Sequence, residues 1–230
     1  MSKKVYIGVG HGGKDPGAVA NGFKEKDLNL TVALTVRDEL ARHGVSFMMS
    51  RDVDLTEDLT ERIKECNNYD PDLALDIHHN AGGGDGAEIF YHYKGGASKD
   101  LAQNILDSIV ANTEQNSRGL KVKLNSRGTD YFGFIRETYA PAVIVECAFL
   151  DNKKDLEVID TYEEQKLMGE AIARGILKTL GVAYIPKEIV VENMYYRVQC
   201  GAFRNRSNAE ALEKKLKEAG FDAFIFTVKQ

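Results

Sequence analysis

The chain has 230 residues, of which 43% are hydrophobic and 28% are charged, and its formal net charge is −5. This composition is ordinary for a globular protein, and the length allows one core domain of roughly 150–200 residues with an appendage. The acidic balance argues against nucleic acid as the main partner, because such a partner requires a broad basic surface.

Up to residue 181, apolar strands alternate with amphipathic helices. In chain order, the pattern predicts strand 4–10, helix 24–42, strand 45–50, helix 55–68, strand 72–78, strand 87–93, helix 98–113, strand 141–150 and helix 162–181. We expect Thr56 and Ser98 to begin their helices and Gly181 to end the last one. Such alternation is typical of an α/β fold with a mostly parallel, twisted sheet covered by helices on both faces.

The pattern changes after residue 181. Residues 182–194 break the periodicity and are a predicted linker, and residues 195–230 have a strand–helix–strand pattern. We therefore expect a core domain at 1–181, a linker at 182–194 and a small C-terminal βαβ unit at 195–230.

Cysteine usage and the N-terminus bear on the compartment. Cys66, Cys147 and Cys200 are odd in number and widely spaced, which favours free thiols in a reducing cytoplasm. The first residues hold two lysines but no apolar segment before the first glycines, so we expect no secretory signal. No run approaches the ~18 apolar residues of a membrane span, so we expect no membrane partner.

The segment GVGHGGKDPG at 8–17 allows two interpretations. Counted from Gly8, it is G-x-x-x-x-G-K, which is nearly a phosphate-binding loop. That motif needs Ser or Thr after its lysine and must run into a helix. Here Asp15 and Pro16 follow Lys14, so a negative charge stands where phosphate would bind. The NTPase interpretation is therefore rejected, and His11 is a candidate metal ligand in a glycine-rich turn.

Other chemically capable side chains also lie at the ends of predicted strands. His78 and His79 end the third strand, Glu146 lies late in the last, and Glu25 opens the helix after the glycine turn. Ligands gather beyond the carboxyl ends of strands in open α/β sheets, so these groups and His11 could meet. Alternation turns adjacent side chains to opposite faces, so only one of the two neighbouring histidines should contact a metal.

Two imidazoles and one carboxylate are a known ligand set for catalytic zinc. Zinc acidifies water and polarises a carbonyl, and a carboxylate that does not bind the metal can carry the proton. Glu146 is flanked by apolar residues, so we expect burial to raise the pKa of its carboxyl group. The pattern leaves two interpretations open: a zinc hydrolase, or hydrogen-bonded structural histidines at strand ends with Glu25 on a solvated helix face.

Four segments in this order resemble the zinc-dependent N-acetylmuramoyl-L-alanine amidases of the type 3 family: GHGGKDPGA, KEKDLNL, DIHHNA and PAVIVECAFLDN. The resemblance covers about residues 3–180. It implies a Zn²⁺ cofactor. It also implies that the substrate is bacterial peptidoglycan, which is cut between the lactyl group of N-acetylmuramic acid and L-alanine.

The resemblance also implies roles for individual residues. The implied zinc ligands are His11, Glu25 and His78. The implied catalytic carboxylate is Glu146. Arg136 and Asn80 are implied substrate contacts, and His79 receives no role. Ala148 stands where the family usually has glycine, a small change that should not affect the chemistry.

The tail resembles a SPOR-type repeat, a module that binds peptidoglycan, through the segment VQCGAF. It spans only one strand–helix–strand half of a domain that usually has four strands. A two-stranded sheet is marginal and leaves open edges. We therefore expect residues 195–230 to be a wall-binding half-domain that completes its sheet in a homodimer.

Alternatives remain within and outside this chemistry. A zinc peptidase that cuts stem-peptide bonds would use the same ligands, and a non-catalytic peptidoglycan-binding protein would keep only the fold. We expect synthesis in the host bacterial cytoplasm, with access to the wall after holin-mediated or other lytic release. That setting fits a phage endolysin or a mother-cell autolysin, and compact size with a single tail repeat favours the endolysin.

Overall fold

The structure is a computed structural model, and it describes residues 2–187 and 198–225. The chain divides into two compact units, residues 1–186 and 187–230. The start of the predicted linker packs on the first unit, since Val182 N–H donates to the Leu177 carbonyl and Tyr184 stacks on His43. The rest of that predicted linker, from residue 188, lies outside the described residues.

Strands and helices of the first unit alternate much as predicted. The strands are β1 (Lys4–Val9), β2 (Val19–Ala20), β3 (Phe23–Lys24), β4 (Ser46–Met49), β5 (Leu73–Asn80), β6 (Ala87–Tyr91), β7 (Ser117–Lys121) and β8 (Ala142–Phe149). The helices are α1 (Glu25–Arg42), α2 (Leu59–Tyr69), α3 (Ala97–Asn112), α4 (Gly133–Glu137), α5 (Lys153–Leu156) and α6 (Tyr162–Leu180). In the second unit, α7 spans Arg206–Glu218.

The main sheet has six strands in the order β4-β1-β5-β8-β6-β7. Strands β4, β1, β5 and β8 are mutually parallel, β6 is antiparallel to β8, and β7 is parallel to β6. Strands β2 and β3 form a separate two-stranded hairpin that leads into α1. The predicted mostly parallel sheet is confirmed.

Each face of the main sheet is covered by its own group of helices. Alternate residues of β1 and β5, such as Val5, Ile7 and Leu75, pack with α1, α3 and α6 in the larger core. The intervening residues Tyr6 and Ala74 pack with α2 and α4 in the smaller core. The period-two pattern of buried strands therefore divides the side chains between two helical layers.

Two helix starts differ from the prediction. The α2 helix begins after Asp58, whose carboxylate accepts from Thr60 N–H, because the Thr56 hydroxyl instead accepts from Lys14 N–H. The α3 helix begins after Gly96, and the Ser98 hydroxyl donates to the Gly95 carbonyl. The end of α6 at Gly181, which has a left-handed backbone, agrees with the prediction.

The described part of the tail holds α7, which has no buried residue. Residues 198–205 and 221–225 contain no strand, in contrast to the predicted βαβ unit. The remaining residues of the two predicted strands lie outside the described part. Two isolated strands gain little from pairing without a third strand or a packed helix, which is a physical reason for this difference.

Among the helices that the structure describes, none has the length and apolar character to cross a membrane.

Candidate active site

The predicted site residues converge at the carboxyl ends of β1, β5 and β8. His11 follows β1, Glu25 opens α1, and His78 and Glu146 occupy paired positions in the neighbouring strands β5 and β8. A pocket of about 380 Å³ lies here, and His11, Glu25, His78, Asn80, Phe132 and Glu146 are among the residues that line it. Parallel strand ends therefore bring together side chains that are up to 135 positions apart in the sequence.

Three side chains place donor atoms within reach of one metal ion. One ligand atom from each of His11, Glu25 and His78 can be chosen so that all lie within 4.8 Å of one another. Glu25 lies between the two rings, with Oε2 3.1 Å from His11 Nε2 and Oε1 2.9 Å from His78 Nδ1. Two imidazole nitrogens and a carboxylate are a donor set that suits zinc, so the residues present fit that ion.

Small residues make this convergence sterically possible. A Cβ atom on Gly10 would lie 2.3 Å from His78 Cε1, so any other residue would displace the imidazole. Gly17 has a φ of +64°, and a Cβ atom there would lie 2.5 Å from Glu25 Oε2. His11 itself has a φ of 60°, an uncommon backbone conformation for a non-glycine residue. The strained turn brings the ring of His11 onto Glu25.

Acidic side chains orient both imidazoles. His11 Nδ1 lies 2.7 Å from Asp15 Oδ2, which leaves Nε2 facing Glu25. His78 Nε2 lies 3.5 Å from Asp76 Oδ2, which leaves Nδ1 facing Glu25. Carboxylates that hold the second nitrogen of a histidine are a common outer support of metal sites, because they fix the tautomer and ring orientation.

The pKa shifts describe a strongly acidic environment around the rings. Although burial opposes the shift, the guanidinium of Arg62 lowers the pKa of Asp76 to about 2. Burial also opposes protonation of His78, yet Asp76 and Glu25 raise the pKa of its imidazole well above 6.5. The hydrogen bond to Glu25 raises the pKa of His11. Carboxylates that attract protons to both rings also attract a divalent cation to the same nitrogens.

Glu146 differs from the other carboxylates of the pocket. Its Oε2 is buried and has no hydrogen-bond partner in the structure. Burial, with a contribution from Glu25 and Glu88, raises the pKa of Glu146 to about 7 although His78 opposes this. A carboxyl group with such a pKa can both accept and donate a proton near neutral pH. The raised pKa agrees with the expectation from its apolar sequence neighbours.

His79 lies on the opposite face of β5, as alternation predicts. It is 2% exposed, and its Nδ1 lies 2.7 Å from Asn29 Oδ1. Asn29 Nδ2 in turn donates to the Gly10 carbonyl and to Glu25 Oε1. The backbone N–H of His79 also donates to Glu25 Oε1. His79 therefore supports Glu25 from behind the sheet end.

The two predicted substrate contacts have different positions. Asn80 lines the pocket, and its Nδ2 donates to Glu88 Oε1 at 3.2 Å. Arg136 is not among the lining residues. Its guanidinium donates to the carbonyls of Asp130 and Tyr131 and pairs with Glu137. Both substrate contacts stay predictions.

Several site residues are not among those predicted from the sequence. Asp15, Asn29 and Asp76 contact the candidate ligands, and Arg62 in turn pairs with Asp76. Two of them have a local signal: Asp76 precedes His78 by two residues and so shares its strand face, and Asp15 follows His11 within the same turn. The roles of Asn29 and Arg62 depend on helices that reach the site only in the folded chain.

Comparison with known proteins finds a family match for each of two parts of the chain, residues 5–178 and residues 193–230. A family model described as N-acetylmuramoyl-L-alanine amidase matches residues 5–178, and a model described as SPOR domain matches residues 193–230. The chain is 36% identical over 226 residues to N-acetylmuramoyl-L-alanine amidase CwlM of Bacillus licheniformis, covering 96% of this chain and 84% of that protein.

Two further relatives extend this similarity. The chain is 34% identical over 225 residues to the sporulation-specific N-acetylmuramoyl-L-alanine amidase of Bacillus subtilis, covering 96% of this chain and 84% of that protein. Among solved structures, Cwp6 from Clostridium difficile superposes with a TM-score of 0.77 and 39% identity, over 78% of this chain and 30% of that one. The chain belongs to the N-acetylmuramoyl-L-alanine amidase family.

Proposed function

We propose that this protein is a zinc-dependent peptidoglycan hydrolase that cleaves the amide bond between the lactyl group of N-acetylmuramic acid and L-alanine. Family membership supports the amidase activity. One observation supports the mechanism: the donor atoms of His11, Glu25 and His78 lie within 4.8 Å of one another, beside a buried Glu146 oxygen that has no partner.

His11 Nε2, His78 Nδ1 and a carboxylate oxygen of Glu25 would hold the metal. When bound, zinc supplies Lewis acidity toward a carbonyl group and toward water. The three ligand side chains are already oriented by other residues. Asp15 and Asp76 orient the two rings, and Ala18 N–H donates a hydrogen bond to Glu25 Oε2, with 2.8 Å between nitrogen and oxygen.

Glu146 carries the proton. Its carboxylate accepts a proton from the attacking water as the water oxygen bonds to the lactyl carbonyl carbon. The same oxygen then donates that proton to the alanine nitrogen as the C–N bond breaks, so the carboxylate is regenerated. A pKa raised by burial suits both steps, because neither the acid nor the base form is strongly favoured near neutral pH.

The test combines wall digestion with metal analysis. Purified peptidoglycan is incubated with the full chain, and we expect newly free N-terminal alanine by mass spectrometry, loss of activity with a chelator and recovery with zinc. The Glu146→Ala variant should retain about one zinc per chain while its turnover falls by about 10²–10⁴-fold. If this variant loses its metal, Glu146 is a ligand and the proposed roles are wrong.

The same digestion separates the alternatives. A zinc peptidase would release other stem-peptide termini and no N-terminal alanine, whereas a non-catalytic binding protein would bind sacculi without dissolving them. The alanine product is therefore the decisive measurement.

The SPOR match supports a wall-binding role for residues 193–230. That role, homodimer formation through the tail, and the endolysin or autolysin setting stay predictions. Light scattering of the full chain at micromolar concentration tests the dimer, and a monomer with a folded tail would contradict it.

A further inference from the structure

A short hairpin borders the active-site pocket. In the 122–131 hairpin, Tyr131 N–H donates to the Lys123 carbonyl at 2.8 Å, and Asn125 N–H donates to the Thr129 carbonyl at 2.8 Å. An antiparallel bridge joins Leu124 to Asp130 between these bonds. The segment leads directly into Phe132, which lines the pocket.

Buried polar contacts fix the base of this hairpin. Asp130 is 1% exposed, and its Oδ1 accepts from Tyr93 N–H at 3.0 Å. Its Oδ2 lies 3.3 Å from His92 Nε2. Arg136 Nη1 donates to the carbonyls of Asp130 and Tyr131 at 2.8 and 2.9 Å. These anchors hold the hairpin in one position, and they give Arg136 a supporting contact with it.

The hairpin presents a cation on an aromatic surface. Lys123 Nζ lies 4.2 Å from the centroid of the Tyr131 ring and 5.4 Å from that of the Phe132 ring. Phe132 is held in turn by Phe90, with ring centroids 4.8 Å apart, and Tyr131 is 52% exposed. We call Lys123, Tyr131 and Phe132 the Lys123 shelf.

The ammonium of Lys123 has no carboxylate partner within 4.0 Å among the residues that the structure describes. Other cations of this region differ in this respect. Arg118 pairs with Glu88 at 3.0 Å, and Arg136 pairs with Glu137 at 2.6 Å. The rings hold the Lys123 charge in place without neutralising it, so an anionic group of a ligand can still bind there.

The charge of the pocket indicates what that ligand group is. Glu25 would share its charge with the metal ion, and Glu88, next to Glu146 in the sheet, pairs with Arg118, while no lysine or arginine is among the described residues that line the pocket. The shelf instead offers a positive charge at the aromatic wall. The peptide that follows the alanine in peptidoglycan carries carboxylates, whereas the sugars beside the lactyl group are uncharged.

We propose that the Lys123 shelf is a peptide-binding subsite, in which the Lys123 ammonium binds a carboxylate of the substrate's stem peptide and the Tyr131 and Phe132 rings contact the adjoining apolar atoms. This rests on the proposed function, since it assumes a muramoyl-peptide substrate. It makes the shelf a specificity-determining element that distinguishes free from amidated stems.

The test measures binding with two soluble muramoyl-peptides that differ only in whether the stem carboxylates are free or amidated. Calorimetry uses the full chain with Glu146→Gln, so that neither ligand is consumed. Adding Lys123→Met should raise the Kd for the free-acid ligand about threefold to fivefold, the size expected for one partly exposed ion pair, and leave the Kd for the amidated ligand unchanged. Lys123→Arg should restore most of the loss.

A matched control is Lys166→Met on α6, which removes another lysine that lies over an aromatic ring, 5.3 Å from the Tyr162 centroid. This change should alter neither Kd. Equal effects of Lys123→Met on both ligands, or no effect on either, would overturn the shelf proposal. Failure of the wild-type chain to release alanine would instead count against the proposed function, because the binding comparison does not depend on turnover.

Discussion

His78 and His79 are neighbours in β5, but their side chains lie on opposite faces of the sheet and meet different surroundings. His78 faces the pocket, where Glu25 and Asp76 flank its ring and raise the pKa of its imidazole. His79 faces the larger core, where burial lowers the pKa of its imidazole to about 4 and Asn29 is its side-chain hydrogen-bond partner.

The surroundings of each ring, and not the residue type, therefore decide its role. A ring among carboxylates offers a nitrogen to a cation, whereas a ring in an apolar layer with one amide partner stays neutral and supports its neighbours. Both histidines nevertheless act on Glu25, one through its ring and the other through its backbone N–H.

The largest effect is expected from the same truncation made on each face. His78→Ala should lower zinc affinity by more than the roughly 10–100-fold that outer hydrogen-bond partners contribute, because it removes a ligand. His79→Ala should change zinc affinity by less than about tenfold but lower the free energy of unfolding by about 1–3 kcal/mol, because Asn29 Oδ1 loses its partner.

Metal titration and chemical denaturation of both variants check this contrast. Zinc affinity that falls equally in the two variants would show that the ligand assignment to His78 is wrong.

The second effect concerns Glu146, on the same face as His78. Its pKa is about 7 in the folded chain against an ordinary value of 4.5, so the folded state keeps a proton that the unfolded state loses. Stability of the metal-free protein should therefore fall as pH rises from 4.5 to 7. Relative to Glu146→Gln, which does not titrate, the wild type should lose roughly 2–3 kcal/mol over this range.

Denaturation with chelator present, at several pH values, measures this difference. The exposed Glu163→Gln on α6 is the control and should follow the wild type. A wild type and a Glu146→Gln variant with parallel pH profiles would contradict the burial of this carboxylate.

The parts of the fold that follow a regular hydrophobic period could be predicted from the sequence. The strand pattern of β1, β5 and β8 predicted the parallel sheet, and strand ends predicted where His11, His78 and Glu146 converge. Alternation also predicted that only one of the neighbouring histidines would contact a metal, and the possible ligand cluster contains His78 and not His79. From the residues alone, however, either could have been chosen, and the resemblance to the amidases selected His78.

Features that depend on long-range contacts were not predictable in this way. Thr56 was predicted to begin a helix, but its hydroxyl accepts a hydrogen bond from Lys14 N–H in the glycine turn instead. The 122–131 hairpin has no strong period, and its position depends on Asp130 reaching Tyr93 from another part of the chain. In the described part of the tail, residues 198–205 and 221–225 contain no strand and α7 has no buried residue, so periodicity alone did not predict the structure of these segments.

A third effect is expected from Asp76, which supports His78 from the same face. Asp76→Asn should lower zinc affinity roughly 10–100-fold, because the ring loses the carboxylate beside Nε2. The variant also removes one of the two ion pairs of the buried Arg62, which keeps its pair with Glu57, so thermal unfolding of the metal-free protein must be measured alongside. Unchanged zinc affinity in a folded Asp76→Asn variant would contradict the orienting role.

The smallest effect is expected from Asp15, the corresponding partner of His11. Its carboxylate is largely exposed, with 62% of the side chain accessible, so water can replace part of its interaction with Nδ1. Asp15→Asn keeps an oxygen acceptor and should lower zinc affinity only a few-fold, whereas Asp15→Ala should lower it by about tenfold. Zinc titration of the two variants separates the hydrogen bond, which fixes the tautomer, from the charge. If Asn and Ala have the same effect, the charge of Asp15 rather than its acceptor geometry supports His11, and the exposed and buried supports of the two rings act differently.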